Sequence, residues 1–215
     1  MFLPSVSGAT GATSTEQSPQ QIAEQQLAQK TRYEEAIRRM EEHLYLAKDG
    51  QLHLNVRRGS EIGVPEGIFA ELQASLGYLN TQIRAGAIRL EEVSLSSGRN
   101  IYGQEVPLTV VASGTPAGLA PQAAACAGWT GIRWFWYGPR YYANECLTRN
   151  IIHTLSVGAA LGWLSAELGF IPDAVVAALA AVGAGALAWI DDIGGNRGIY
   201  WQTTWLGQWG YVWHQ

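Results

Sequence analysis

Few side chains in this sequence could do chemistry, and their spacing decides what kind. There are two cysteines, Cys126 and Cys146, and four histidines, His43, His53, His153 and His214. The cysteines bracket an aromatic stretch whose two strands would bring its flanks together. A disulfide there would contribute about 3 kcal/mol on the chain-entropy model and imply an oxidising compartment; two buried thiols are the competing reading. No histidine pair has metal-ligand spacing on a helix, and no Cys-x-x-Cys or His-Glu-x-x-His occurs. Cys146 and His153 lie about 10.5 Å apart along a helix, too far for a thiol–imidazole pair. A Gly-x-Ser-x-Gly elbow, a Walker loop and a dinucleotide loop are all missing. The adjacent acids Asp191 and Asp192, without further ligands, read as solvated. The sequence therefore predicts a non-enzyme with no catalytic residue, no metal and no cofactor.

The charge balance narrows the partners. Net charge is −4 and only 15% of residues are charged, against the clustered Lys and Arg that nucleic-acid binding needs. Composition also changes along the chain: all nine tryptophans fall between Trp129 and Trp213. That step predicts a disordered tail over 1–18, a mainly helical segment over 19–112, a linker over 113–125 and a compact module over 126–215. The tail has neither the basic start nor the apolar run of a secretory signal. The helical segment reads as a targeting, docking or pro-segment, with Ala123-Ala124-Ala125 before Cys126 as a processing site.

Within the helical segment, Ser18-Pro19 gives an N-cap and a first-turn proline. Tyr33, Ile37, Met40 and Leu44 then share one face of a helix over 20–47. Leu52, Leu54 and Val56 alternate as a short strand. Pro65 opens a second helix striped by Phe69, Leu72, Leu76, Leu79 and Ile83, and Gly86 ends it. In the Trp-rich module, Trp129–Tyr137 should pair with Arg140–Ala143 through a Gly138-Pro139 turn. Gly198–Leu206 and Gly210–Gln215 form a second hairpin, with Ile199, Trp201, Thr203 and Trp205 on one face. The fold class is α+β: N-terminal amphipathic helices, then two Trp-rich hairpins around an Ala/Gly-rich αα-hairpin.

That αα-hairpin comprises Ile151–Ala166 and Ala174–Ile190, both free of Asp, Glu, Lys and Arg. Gly158 and Gly162, and Ala181 and Gly185, have small-xxx-small spacing suited to close helix packing. Seventeen helical residues span about 26 Å, just short of a bilayer core, so a buried pair and a membrane-inserting pair both fit. Insertion would carry Glu167 and Asp173 through lipid at about 2.5–3.5 kcal/mol each when ionised, which makes them a pH-sensitive tip; the plain alternative is two solvated turn acids. Trp163, Trp189 and the strand tryptophans read as interface anchors, core fillers or platforms for sugars and other flat ligands.

The stretch Tyr141-Tyr142-Ala-Asn-Glu-Cys146 entering the Ala/Gly helices, closed by Gly198-Ile-Tyr, Trp205 and Trp213-His-Gln, resembles uncharacterised exported proteins of actinobacteria over residues 126–215. The layout of Ile151–Ile190 is similar in outline to bacteriocins and toxins with a hydrophobic helical hairpin. The resemblance implies a secreted or cell-surface bacterial protein that perturbs or perforates the lipid bilayer of a target cell, with homo-oligomers among its states. The alternative expectation is a non-enzymatic interaction or self-assembly module that pairs through aromatic edge strands.

Overall fold

The computed structural model describes residues 17–107, 109, 126–168 and 171–215. The expected linker 113–125, its Ala123–Ala125 site and residues 1–16 of the expected tail lie outside them. The fold is α+β.

Helix α1 spans Pro19–Glu41 and starts as its sequence demands. The Ser18 side chain accepts the Gln21 N–H while the Gln21 side chain accepts the Ser18 N–H, so two otherwise orphaned donors are satisfied. The helix stops six residues before the expected end. There Leu44–Leu46 (β1) turns through Lys48-Asp49-Gly50 and pairs antiparallel with Leu52–Leu54 (β2). Helix α2 covers Glu66–Arg84, buries Phe69, Leu72, Leu76 and Leu79, and ends at Gly86 with φ +69°.

The two expected hairpins exist, and they join. Gly131–Phe135 (β3), Gly138–Ala143 (β4), Ile199–Thr203 (β5) and Trp209–His214 (β6) form one antiparallel sheet in chain order. The first turn is Trp136-Tyr137, not Gly138-Pro139: Phe135 pairs with Gly138 and Trp134 with Pro139. Both turn aromatics are buried, and their anchoring in the core shifts the turn. Pro139 is tolerated because the β5 ladder begins one residue later, at Arg140.

The expected division into modules does not correspond to two cores. A single hydrophobic cluster runs from Ala23 and Met40 through Leu79 to Trp201 and Val212. Polar contacts stitch the same halves together. Glu41 accepts the Trp136 indole N–H at 2.8 Å, and Gln26 accepts the Val212 N–H at 3.1 Å. Ser75 donates to the Tyr137 carbonyl at 2.7 Å and accepts the Trp205 N–H at 2.8 Å. Ser75→Ala would strand the buried Tyr137 carbonyl and the half-buried Trp205 N–H, so we expect a loss of about 1–3 kcal/mol, read as a lower urea midpoint with an unchanged slope.

The αα-hairpin is where expectation and structure differ most. Its first run holds helix α3 (Glu145–Ser156), a break, and the short α4 (Leu164–Leu168). Its second splits into α5 (Asp173–Val182) and α6 (Ala184–Ile193), bent by 79°. Gly158 at φ +71° caps α3, and Gly183 at φ +82° makes the bend. A left-handed residue stops a helix, whatever the apolarity of its neighbours. Among the described residues no single helix is long and apolar enough to cross a membrane.

Candidate functional site

The period-2 pattern of the sheet places Ile132, Trp134, Pro139, Tyr141, Trp201 and Thr203 on one face. Their register fixes this: Ile132 opposes Tyr141, Tyr141 opposes Trp201, and Trp134 opposes Pro139. Trp134 and Trp205 stack at 5.4 Å with 15° between ring planes, and Tyr141 and Trp201 stack at 5.6 Å and 15°. Trp205 is held by its indole N–H, which donates to the Phe135 carbonyl at 3.0 Å, and by its backbone bond to Ser75.

Over this aromatic floor lies a groove of about 450 Å³, walled by Tyr78 and Gln82 of α2 on one side and by Leu168 and Pro172 on another. Among the described residues, none that lines it carries a charge. Burial pushes the Tyr141 phenol up to about 12, so it stays neutral. Among the described residues its hydroxyl has no hydrogen-bond partner, and neither do the Gln82 amide, the Tyr78 hydroxyl or the Trp134 indole N–H. Polar groups without partners inside an apolar cleft are what orient a ligand in a binding site. The hydroxyls of Tyr78, Tyr141, Thr203 and Thr204 line the groove, and among the described residues no His, Lys, Asp or Glu lines it beside them.

A second polar cluster on the sheet is structural. The Arg140 guanidinium donates to Gln202 at 3.0 Å and to the Tyr211 hydroxyl at 2.9 Å, and lies over the Phe135 and Tyr200 rings at 4.8 and 4.7 Å. Burial works against its charge, but the surrounding phenols more than offset this and raise its pKa. Tyr211 in turn donates to Glu34 of α1 at 3.1 Å, and Glu34 pairs with Lys30. Asp191 is buried rather than solvated: its carboxylate accepts the Gly198 N–H at 2.8 Å, and desolvation raises its pKa. Asp192 is exposed, as expected. Among the described residues no group of three or more His, Cys, Asp or Glu is placed to hold a metal ion.

The residues singled out by sequence are dispersed. Cys126 and Cys146 form a disulfide with a Cα separation of 5.6 Å. Cys146 is exposed at the start of α3, so reductant can reach it. Replacing both cysteines by serine should cost about 3 kcal/mol for a loop of this length, and dithiothreitol should lower the unfolding temperature of the native chain equally. An unchanged midpoint would contradict that stabilising role. Gly158 and Gly162 do not mediate close packing, because an added Cβ at either meets nothing within 4 Å. Ala181 is exposed, and Gly185 approaches Pro19 of α1 rather than a partner helix, with a built Cβ at 2.9 Å from the Pro19 ring. Trp163 and Trp189 are half-buried against the core. Glu167 is half-buried in α4, and Asp173 is exposed at the first turn of α5.

Aromatic edge strands were expected as templates for pairing, yet both edges carry partners. Ser94 and Thr109 bridge to β3, where they exchange backbone hydrogen bonds with Trp134, Trp136 and Ile132. Gln26 takes the outward Val212 N–H of β6. Sequence reasoning missed the groove because Tyr78 and Gln82 come from a helix more than 50 residues away from Trp134 in the chain. The signals of its floor were the alternation of Trp201, Thr203 and Trp205 and the strand tryptophans read as platforms for flat ligands. Comparison with protein-family models, with curated proteins and with solved structures finds no match.

Proposed function

We propose that this protein is a non-enzymatic binding module of an oxidising, extracytoplasmic compartment, whose aromatic groove takes an uncharged ligand. One observation carries the reading: a cleft of about 450 Å³ with no charged side chain in its lining and with unpartnered hydroxyl, amide and indole groups. Its size falls within the range of small-ligand pockets. Burying a charged ligand there would leave its charge uncompensated, whereas a neutral one loses little. A neutral solvatochromic dye should bind with one-to-one stoichiometry. Gln82→Glu on the half-exposed wall of α2 should weaken it several-fold while leaving the circular dichroism spectrum intact. Dye binding that ignores this substitution would refute the groove as the site.

A second reading is favoured by a specific surface. From Ala174 to Ile190 no residue is charged, and the outward positions of α5 and α6 include Ala177, Ala181, Gly185 and Ala188. Taken together the bent pair is long and apolar enough for a broken span. In this reading the protein is bacteriocin-like and perturbs a target bilayer, with Glu167 and Asp173 crossing most easily when protonated. Anionic vesicles loaded with a self-quenching dye should then leak, faster at acidic than at neutral pH; flat or inverse pH dependence removes the acid-tip mechanism.

A further inference from the structure

One polar group in the floor of the groove points to the kind of neutral ligand. Tyr141 is only 3% exposed, and what remains uncovered lines the groove. Its hydroxyl has no hydrogen-bond partner among the described residues. A polar group so nearly buried and unpaired is rare in a folded protein, and a ligand group that both donates and accepts would pair it. Tyr78 and Gln82 on the α2 wall can also donate and accept, and the Trp134 indole N–H donates. A hydrocarbon chain would cover the Tyr141 hydroxyl and leave it unpaired, which is costly. A carboxylate or phosphate would bury its charge where no side chain lining the groove offsets it. Sugar hydroxyls carry no charge, and each donates and accepts.

The rings select the shape of the sugar. Trp134 and Trp205 are half-buried, stack on each other at 5.4 Å and both line the groove. Trp205 is already fixed by its indole bond to the Phe135 carbonyl and its backbone bond to Ser75, so little side-chain freedom is lost when a ligand arrives. A pyranose whose hydroxyls are all equatorial has flat C–H faces ringed by hydroxyls. Such a face lies on an indole while the hydroxyl rim meets the polar wall. An axial hydroxyl would project from that face and hold the sugar off the rings. Equatorial linkages keep successive sugars in one flat, extended chain, whereas axial linkages coil it away from a flat floor.

We infer that the groove binds a stretch of a neutral, equatorially linked saccharide chain of glucose configuration. This rests on the reading of the groove as a binding site, and the test separates the two. The intact, oxidised protein is titrated with cellohexaose, with N-acetylated chitohexaose, with maltohexaose as the axially linked control, and with the neutral dye. Heteronuclear NMR follows binding and reports whether each variant is folded. Cellohexaose or chitohexaose should bind saturably and shift the Tyr78, Trp134 and Trp205 signals, while maltohexaose binds at least about tenfold more weakly. Tyr141→Phe, which keeps the buried ring and removes only its hydroxyl, should weaken binding about two- to tenfold. Tyr78→Ala, at an exposed position of α2, should weaken it several-fold. Dye binding without binding of either equatorial hexamer would overturn the saccharide proposal and leave the groove reading standing. Absence of binding by all four probes would overturn both. Saccharide binding that both substitutions leave unchanged, or that favours maltohexaose, would also refute the inference.

Discussion

Gly138→Ala should unfold the protein or destabilise it by at least about 4 kcal/mol, the range reserved for severe structural conflict. Gly138 opens β4 at φ +145°, a conformation that side-chain-bearing residues rarely adopt. Any Cβ there would overlap the Thr203 carbonyl oxygen and approach the Thr204 Cα to 2.6 Å. Both neighbours are backbone atoms, tied into the sheet by the Thr203–Trp209 pairing and by the Thr204 N–H donating to Gln208. They cannot rotate away as a side-chain tip would. Gly86 gives the internal comparison. It too has a positive φ, +69°, but a built Cβ meets nothing within 4 Å. Gly86→Ala should cost only the left-handed strain, about 1–2 kcal/mol. Chemical denaturation of the two variants side by side separates collision from strain, and equal losses would refute the collision. Pro139, Thr203 and Thr204 line the groove, so the same contact that forbids a side chain at Gly138 also fixes part of the groove's floor.

The sequence made local features legible and left the long-range ones hidden. The Ser18 cap, the stripe on α2, the Gly86 stop and the Cys126–Cys146 bridge all follow from spacing over a few residues or from ends brought together by one hairpin. The union of the two hairpins does not, because the alternation along β5 marks which side chains share a face but not which strand pairs along its edge, and β4 lies more than 50 residues away in the chain. Gly158 and Gly183 misled for a related reason. In an Ala- and Leu-rich run a glycine can allow close packing or end a helix, and only the backbone dihedral tells which. The groove was hidden because its wall and floor come from distant stretches of chain, and the charge-free character of its lining is a property of their juxtaposition. The buried Asp191 was hidden because a carboxylate beside a glycine-rich turn reads as solvated until the turn folds over it.

Base should unfold this protein in one steep step. Tyr137, Tyr141, Tyr200 and Tyr211 are all buried, and burial is the leading cause that raises each phenol above its ordinary value of 10, Tyr141 to about 12 and the others further. A group with a raised folded pKa contributes stability that is present below its unfolded pKa and lost above it. Below pH 10 the phenols are protonated in both states, and stability is indifferent to them. Above pH 10 the unfolded chain sheds those protons while the folded chain keeps them, so each phenol costs about 1.4 kcal/mol per pH unit. Four together cost roughly 5.5 kcal/mol per unit, against a total stability of about 5–15 kcal/mol for a folded domain. Unfolding should therefore be complete within about one to three units above pH 10. The Asp191 carboxyl, whose pKa desolvation also raises, acts with the same sign, because it too loses stability as pH rises above its unfolded pKa. The measurement is phenolate absorbance followed with far-ultraviolet circular dichroism from neutral pH to about pH 13. A cooperative rise in absorbance coincident with loss of ellipticity is expected. A gradual rise with ellipticity retained would mean that these phenols ionise inside the folded sheet, and the closed aromatic core argued from their burial would be wrong.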